Sequence, residues 1–198
     1  VEECDLLFSI GTRFNDRITG KLHAFAPKAT IVHIDIDTSS ISRNIQVDIP
    51  IVADAKEAIE KLLEYVEPIE KKESWMEQTE GWKEEHPLRM KPKGDQMQAQ
   101  DILETINEVF KDDDKIVVTD VGQHQMFTSQ YLEVNEKTRL YMSGGLGTMG
   151  YGLGAAIGAK MGCPDKTVIN IAGDGCFRMN MNEIATAARY NIPIIQVV

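Results

Sequence analysis

An aspartate flanked by two glycines follows an apolar run in the stretch TVINIAGDGCF. The run predicts a buried strand, and Asp174 stands where the next helix should begin. Gly173 and Gly175 let backbone N–H groups approach a bulky anion, and a helix N-terminus favours a negative ligand. A carboxylate would repel a phosphate there, so the pattern indicates a divalent cation, most simply Mg²⁺, shared by the two. The alternative is a plain turn in which Asp174 caps the helix.

A glycine-rich segment, residues 143–158, is a second candidate ligand site. Gly145, Gly147 and Gly150 spell G-x-G-x-x-G between a predicted strand and a predicted helix, which is the dinucleotide fingerprint. The acid expected about 20 residues further on would be Asp174, and its glycine-flanked position is unlike that of a ribose-binding acid. The glycine spacing favours an NAD-dependent oxidoreductase or a binding module as an alternative function, whereas the position of Asp174 argues against it.

Further polar residues follow other predicted strands. Gln123 and His124 stand at a strand-to-helix turn, where a second anion contact is expected. Cys176 fits the turn after Asp174 as a small residue, and as a nucleophile it lacks a base at motif spacing. In the first segment, Asp35 and Asp37 end an apolar strand, where ribose hydroxyls bind in such folds, and Arg13 follows Gly11 within reach of a phosphate. The alternative is that Asp35, Asp37 and Asp54 are caps and that Arg13 forms a surface ion pair.

Apolar runs that alternate with amphipathic segments must position these residues, and they predict an α/β fold with doubly wound parallel sheets. The predicted strands are CDLLFSIG, ATIVHIDID, IPIVADA, KIVVTD, LYMS, TVINIAG and IPIIQVV. Helical spacing predicts three apolar faces: Ala58, Ile59, Leu62, Leu63 and Val66; Ile102, Leu103, Ile106, Val109 and Phe110; Met181, Ile184, Ala185 and Ala188. We divide the chain into residues 1–66, a polar linker 67–95 with one helix at about 75–85, and residues 96–198.

Composition narrows the class of protein. The 198 residues carry a net charge of −10, which argues against nucleic acid or an anionic membrane as partner. No apolar run is long enough to span a bilayer. Three widely spaced cysteines form neither a metal pattern nor an even disulfide framework, so we expect a cytoplasmic protein. Apolar strands at both ends lead us to expect an internal piece of a longer protein.

Several long blocks together resemble one family. GDG followed by MNMNE is similar to the thiamine-diphosphate motif. TDVGQHQMF and SGGLGTMGYGLGAAIGAKMG resemble the cofactor domain of the acetolactate synthase large-subunit family, and GTRFNDRITGKL, HIDIDTSSIS and DIPIVADA resemble its FAD-binding middle domain. The resemblance implies that residues 1–66 end an FAD-binding Rossmann-like domain and that residues 96–198 begin a thiamine-diphosphate domain. Gly154 departs from the family, which usually has proline there.

The resemblance also implies site residues. Thiamine diphosphate would contact Gln123, His124, Gly147, Met149, Gly173, Gly175 and Cys176, with Met149 as the large apolar residue that holds the bent cofactor. Asp174 would bind Mg²⁺. FAD, in a structural role, would contact Gly11, Arg13, Asp35, Ile36, Asp37, Asn44, Asp54 and Ala55. The glutamate that activates the cofactor lies in the family's N-terminal domain, so no catalytic acid or base is expected in this chain, and the isolated chain is expected to be inactive.

The implied activity is decarboxylation of pyruvate and condensation with a second 2-oxo acid. The products would be 2-acetolactate or, with 2-oxobutyrate, 2-aceto-2-hydroxybutyrate, both used in branched-chain amino-acid synthesis. The implied assembly is a homodimer or homotetramer with the active site at the subunit interface, together with a regulatory small subunit in some members. Another thiamine-diphosphate enzyme, of the pyruvate oxidase or 2-oxo acid decarboxylase type, is the nearest alternative.

Overall fold

The computed structural model describes residues 1–198, which form two compact units, Val1–Glu73 and Ser74–Val198. The division falls inside the segment predicted as a linker. Each unit is an α/β unit with its own parallel sheet. None of the helices has both the length and the apolar character needed to cross a membrane.

The first unit contains a three-stranded parallel sheet in the order β1 (Leu6–Ile10), β2 (Thr30–Asp35), β3 (Ile49–Val52). The strand order does not reverse, so the predicted doubly wound arrangement is not found in this sheet. The predicted strands are confirmed, and β2 is the central one, buried along almost its whole length. The core on one side of the sheet is formed by Phe14, Ala26, Ile31, Ile45 and Val47. The elements are β1 (Leu6–Ile10), α1 (Asp16–Thr19), a 3₁₀ turn (Leu22–Ala24), β2 (Thr30–Asp35), β3 (Ile49–Val52) and α2 (Ala55–Leu63).

The second unit contains a four-stranded parallel sheet in the order β5 (Thr138–Met142), β4 (Lys115–Thr119), β6 (Thr167–Ile171), β7 (Ile195–Val197), which is doubly wound as predicted. Alternate residues of β4 face opposite layers: Val117 packs toward α4 (Ala99–Val109), whereas Ile116 and Val118 pack toward α6 (Tyr151–Gly162). The elements are α3 (Glu73–Glu85), α4 (Ala99–Val109), β4 (Lys115–Thr119), α5 (Gln123–Tyr131), β5 (Thr138–Met142), α6 (Tyr151–Gly162), β6 (Thr167–Ile171), α7 (Asp174–Asn180), α8 (Glu183–Arg189) and β7 (Ile195–Val197).

The reversal of strand order in this sheet defines where a ligand is expected. From β4 the chain crosses to β5 on one side and then returns past β4 to β6 on the other. The carboxyl ends of β4 and β6 therefore flank a topological switch point, and in doubly wound folds ligands bind in the crevice at such a point. The segments that leave these two strand ends are residues 120–123 and 172–174.

The predicted apolar helix faces are only partly buried. Leu103 and Ile106 of α4 are in the core, but Val109 is 64% exposed. The helix predicted around Met181 is two short helices, α7 and α8; Met181 and Ile184 are about half exposed and Ala187 is the buried residue. On α2, Ala58 is buried and Ile59 and Leu63 are exposed, and Val66 of the predicted face lies beyond the helix, which ends at Leu63. Helical spacing shows which side chains share a face, but it does not show whether this chain supplies the surface that covers them.

Candidate cofactor cleft

The turn between β4 and α5 places the predicted Gln123–His124 pair. β4 is buried along its length, and the chain leaves it through Gly122, which has a φ of 150° and precedes the first residue of α5. A Cβ at Gly122 would lie 2.9 Å from His124 Cε1, so glycine is required for the imidazole to fold back over the turn. Gln123 is exposed, and α5 begins with its free N–H groups beside this pair.

The His124 ring also packs against the GDG turn of the next strand. A Cβ at Gly173 would lie 3.1 Å from His124 Nδ1, so the glycine predicted for ligand approach has a first role in packing against this ring. Nε2 of His124 is buried and has no hydrogen-bond partner in the chain. Burial lowers the pKa of His124 below its ordinary value of 6.5, and nearby Asp120 opposes that shift in part. His124 is therefore a neutral imidazole at neutral pH with an unpaired nitrogen, which a ligand could pair.

The glycine-rich segment reaches the same region through Met149. Gly147 and Gly150 have φ values of 62° and 85°, so two of the fingerprint glycines are required by backbone conformation. The turn is closed by hydrogen bonds from Gly147 N–H to Ser143 O and from Thr148 N–H to Ser143 Oγ. Leu146, at the tip, is 93% exposed, and Met149 is the residue of this segment that lines the cleft.

The N-terminus of α6 is already occupied by a side chain of the chain itself. Asp120, only 1% exposed, accepts hydrogen bonds from Gly150 N–H and Gly152 N–H, both at 2.9 Å. A dinucleotide fingerprint places the pyrophosphate at this helix end, and a buried carboxylate in that place would repel it. The G-x-G-x-x-G spacing is therefore not a dinucleotide site in this structure.

Two residues of the GDG turn, Asp174 and Gly175, make no side-chain contact that would explain their presence in the turn. Gly173 is the N-cap of α7 and Asp174 is the first helical residue, so the alternative in which Asp174 caps the helix is wrong. The Asp174 carboxylate is exposed and has no partner in the chain. No atom lies within 4 Å of a Cβ built on Gly175, so packing within the chain does not explain this glycine. A close-fitting ligand would explain it.

Cys176 is held as a structural thiol. Its side chain is buried, and Sγ donates to Val121 O at 3.0 Å. Burial raises the pKa of the thiol, and the Asp120 carboxylate raises it further. A thiol whose ionisation is suppressed is a poor nucleophile at neutral pH, so the nucleophile hypothesis for Cys176 has no support.

These segments enclose one cleft of about 570 Å³ at the switch point. Gln123, His124, Met149, Gly173, Asp174, Gly175 and Cys176 all line it, whereas Gly147 does not. Gly147 stands directly behind the lining, because a Cβ on it would lie 3.8 Å from Val121 Cγ1, and Val121 is a lining residue. No group of three or more metal-ligating side chains occurs in the chain, so Asp174 offers a single carboxylate.

Sequence reasoning missed several residues of this region. Phe127, Ala99 and Val198 also line the cleft, and Asp120 and Asn180 hold the glycine-rich segment from behind. For Asp120 a signal existed, since an acid at the end of a buried strand stands at the ligand-binding edge of such a sheet. Asn180 lies in the MNMNE block that carries part of the family resemblance, but its contact with Gly150 was not predicted.

The residues predicted to contact FAD lie at the carboxyl ends of the strands in the first unit. Asp54 accepts from Lys56 N–H and Glu57 N–H and is the N-cap of α2, and Ala55 is the first residue of that helix. Asp35 is nearly buried; one oxygen accepts from Asp37 N–H at 2.8 Å and the other lies 3.6 Å from His33 Nε2.

The other predicted contacts in that unit are exposed. Gly11 has a φ of 64° and donates to Ile34 O, and Ile36 is 73% exposed. Hydrogen bonds from Ser39 lower the pKa of Asp37, which is therefore a carboxylate at neutral pH. Asn44 Nδ2 donates to the backbone carbonyls of Arg13 and Phe14. The Arg13 side chain is exposed and is in none of the ion pairs of the chain, so the surface ion pair considered as an alternative is wrong.

Two family models match the chain in the order in which its units occur. Residues 1–62 match the model described as "Thiamine pyrophosphate enzyme, central domain". Residues 120–198, which contain the whole switch-point cleft apart from Ala99, match "Thiamine pyrophosphate enzyme, C-terminal TPP binding domain". The two units therefore match the central and C-terminal domains of the thiamine pyrophosphate enzyme family, in that order.

Sequence identity to curated relatives narrows the family within the thiamine pyrophosphate enzymes. The chain is 40% identical to "Acetolactate synthase isozyme 3 large subunit" of Escherichia coli K12, over 100% of the chain and 35% of that protein. It is 44% identical to "Probable acetolactate synthase large subunit" of Methanocaldococcus jannaschii, over 98% of the chain and 34% of that protein. With "Acetolactate synthase 1, chloroplastic" of Nicotiana tabacum the identity is 43%, over 98% of the chain and 30% of that protein.

The chain belongs to the acetolactate synthase large-subunit family. It spans about a third of the length of the curated relatives that it matches.

Proposed function

We propose that the switch-point cleft binds thiamine diphosphate together with Mg²⁺. The observation that carries the proposal is the convergence of Gln123, His124, Met149 and the GDG turn, from three separate chain segments, on one cleft. The unpaired His124 Nε2 and the open Gly175 are features that packing within the chain leaves without a partner. A ligand in the cleft would form a hydrogen bond with His124 Nε2 and would fill the space beside Gly175.

The two walls of the cleft suit the two ends of this cofactor. On one side, Asp174, the backbone N–H groups of Gly175 and Cys176 and the exposed Gln123 form a polar wall for the diphosphate and its cation. Mg²⁺ at phosphate sites is bound by one or two carboxylates together with phosphate oxygens, which agrees with a single free carboxylate at Asp174. On the other side, Met149 and Phe127 offer an apolar wall for the ring system.

Binding tests this proposal directly. In calorimetric titrations of the full-length protein, thiamine diphosphate should bind in the presence of Mg²⁺ and much more weakly in its absence. Asp174→Asn should raise the dissociation constant by at least about tenfold, because interactions with a charged group contribute about 1.5–3 kcal/mol. Asp165→Asn, at an exposed acid outside the cleft, is the matched control. Unchanged Mg²⁺-dependent binding in Asp174→Asn would contradict the metal role.

For the whole protein we propose acetolactate synthase activity. Bound thiamine diphosphate supplies an electron sink for decarboxylation of pyruvate and transfer of the resulting two-carbon unit to pyruvate or 2-oxobutyrate. The residues of this chain would bind and orient the cofactor, and none of them is proposed as the catalytic acid or base. We further propose a homodimer or homotetramer, with a small regulatory subunit in the complex.

Product analysis separates the synthase from its nearest alternative. The full-length protein with pyruvate, thiamine diphosphate and Mg²⁺ should form 2-acetolactate. Acetate as the main product would indicate an oxidase, and free aldehyde a decarboxylase. Either result would overturn the synthase proposal while leaving the cofactor site in place.

The first unit is proposed to bind FAD in a structural role. The support is that Arg13, Asp37 and Asn44 leave polar groups at the carboxyl edge of the sheet, where nucleotides bind in such folds. The carboxylates of Asp35, Asp37 and Asp54 all accept hydrogen bonds within the chain, so the exposed Arg13 is the sharper candidate. Purified Arg13→Ala should retain less flavin, measured by absorbance, than wild type or the exposed control Arg89→Ala. Equal flavin content in all three would exclude Arg13 as a contact.

A further inference from the structure

Gly150, the residue that follows Met149, is held through both of its backbone polar groups by side chains from other elements. Gly150 N–H donates to Asp120 Oδ1 at 2.9 Å, and Gly150 O accepts from Asn180 Nδ2 at 2.6 Å. Gly150 has a φ of 85°, and a Cβ on it would lie 3.0 Å from Asn180 Nδ2. Only glycine fits this position, and the two side chains fix its orientation from opposite directions.

The carboxylate of one partner, Asp120, accepts hydrogen bonds from three backbone N–H groups. Besides Gly150, its carboxylate accepts from Gly152 N–H and Val121 N–H, each at 2.9 Å. A buried carboxylate is tolerated because it is paired in this way. A carboxamide of the same shape would turn an N–H donor toward one of these N–H groups, so the negative charge is specifically required.

The other partner, Asn180, ends the helix that begins with Asp174. α7 therefore carries the proposed metal ligand at one end and a contact to the glycine-rich segment at the other. Met149 itself is 48% exposed, and its unbranched side chain adapts easily to different surroundings. Its place in the cleft wall must therefore come from the backbone that follows it.

We propose that Asp120 and Asn180 are positioning residues that clamp Gly150 and so hold Met149 against the ring end of thiamine diphosphate. This inference rests on the proposed cofactor site. In this proposal the clamp acts on the apolar wall of the cleft, where the ring system of the cofactor binds. Asp174 and the GDG turn bind the diphosphate.

Comparing two ligands in full-length variants tests the assignment. In Asn180→Ala the dissociation constant for thiamine diphosphate with Mg²⁺ should rise about threefold to tenfold, the effect of losing one hydrogen bond. The dissociation constant for inorganic pyrophosphate with Mg²⁺ should not change, because pyrophosphate has no ring. Asn180→Asp, which cannot donate to the carbonyl at neutral pH, should behave like Asn180→Ala. Asn182→Ala, at an exposed asparagine whose side chain makes no cap, is the control.

The same variants separate failure of the clamp from failure of the cofactor site. Hydrogen exchange of the peptide covering residues 143–153 should be faster in Asn180→Ala than in Asn182→Ala, with or without ligand. Unchanged exchange, or an equal loss of affinity for both ligands, would overturn the clamp. Wild-type protein that binds neither ligand would overturn the proposed site, and the exchange comparison would still decide the clamp. Asp120→Asn should shift exchange in the same direction and further; if it fails to fold, the Asn180 series decides.

Discussion

Two glycines of the same helix should respond in opposite ways to alanine. Both Gly152 and Gly154 lie in the first turns of α6. A Cβ at Gly152 would lie 2.6 Å from Asn170 Oδ1 and 3.0 Å from Asp120 Oδ2, whereas no atom lies within 4 Å of a Cβ at Gly154. Asn170 and Asp120 are both buried, so neither can move aside cheaply.

The magnitude follows from comparing the two variants. Replacing glycine by alanine inside a helix stabilises it by about 1 kcal/mol, and this gain is common to both. Overpacking a buried site costs about 1–3 kcal/mol, and only Gly152→Ala bears that cost. The free energy of unfolding of Gly152→Ala should therefore lie about 1–3 kcal/mol below that of Gly154→Ala.

Urea unfolding of the full-length protein measures this difference. Gly154→Ala should match or exceed wild type, because no atom lies within 4 Å of a Cβ at this position. Equal midpoints and slopes for the two variants would refute the reasoning, because they would mean that Asp120 and Asn170 do not crowd Gly152.

Three further perturbations test individual residues. Since burial lowers the pKa of His124, the unfolded state binds more protons just below pH 6.5; stability should fall as pH drops through that value, and His124→Gln should show a smaller fall in thermal midpoints. Cys176 should react with alkylating reagents more slowly than the less buried Cys163, and equal rates by mass spectrometry would contradict the suppressed thiol. Asp54→Ala should cost about 1 kcal/mol in urea unfolding by removing the cap of α2, whereas Asp54→Asn should cost little.

The strands, and the places of Gln123 and Asp174 at strand ends, were predictable for one physical reason. Short apolar runs that end in glycine or an acid mark buried parallel strands, and the carboxyl ends of such strands meet at one edge. Gln123 and Asp174 lie more than 50 residues apart, yet each follows a strand next to the switch point. Their convergence could therefore be expected before any coordinates were known.

The exposure of helix faces could not be predicted in the same way. Met181 and Ile184 have helical spacing and are apolar, and both are about half exposed. Spacing reports only that two side chains point in one direction. Whether another surface covers them depends on chain segments or subunits whose position no local pattern encodes.

The role of the glycine-rich segment depends on a residue thirty positions away. By spacing, Gly145, Gly147 and Gly150 fit a dinucleotide loop, and the sequence supplies a strand before them and a helix after them. What decides the matter is that Asp120 at the end of β4 reaches the first N–H groups of α6, at Gly150 and Gly152. Because a helix N-terminus can satisfy either an internal carboxylate or a ligand phosphate, the internal carboxylate makes the N–H groups of α6 unavailable to a ligand phosphate. The segment then keeps one contact with the cleft, Met149, and its glycines serve to place that side chain.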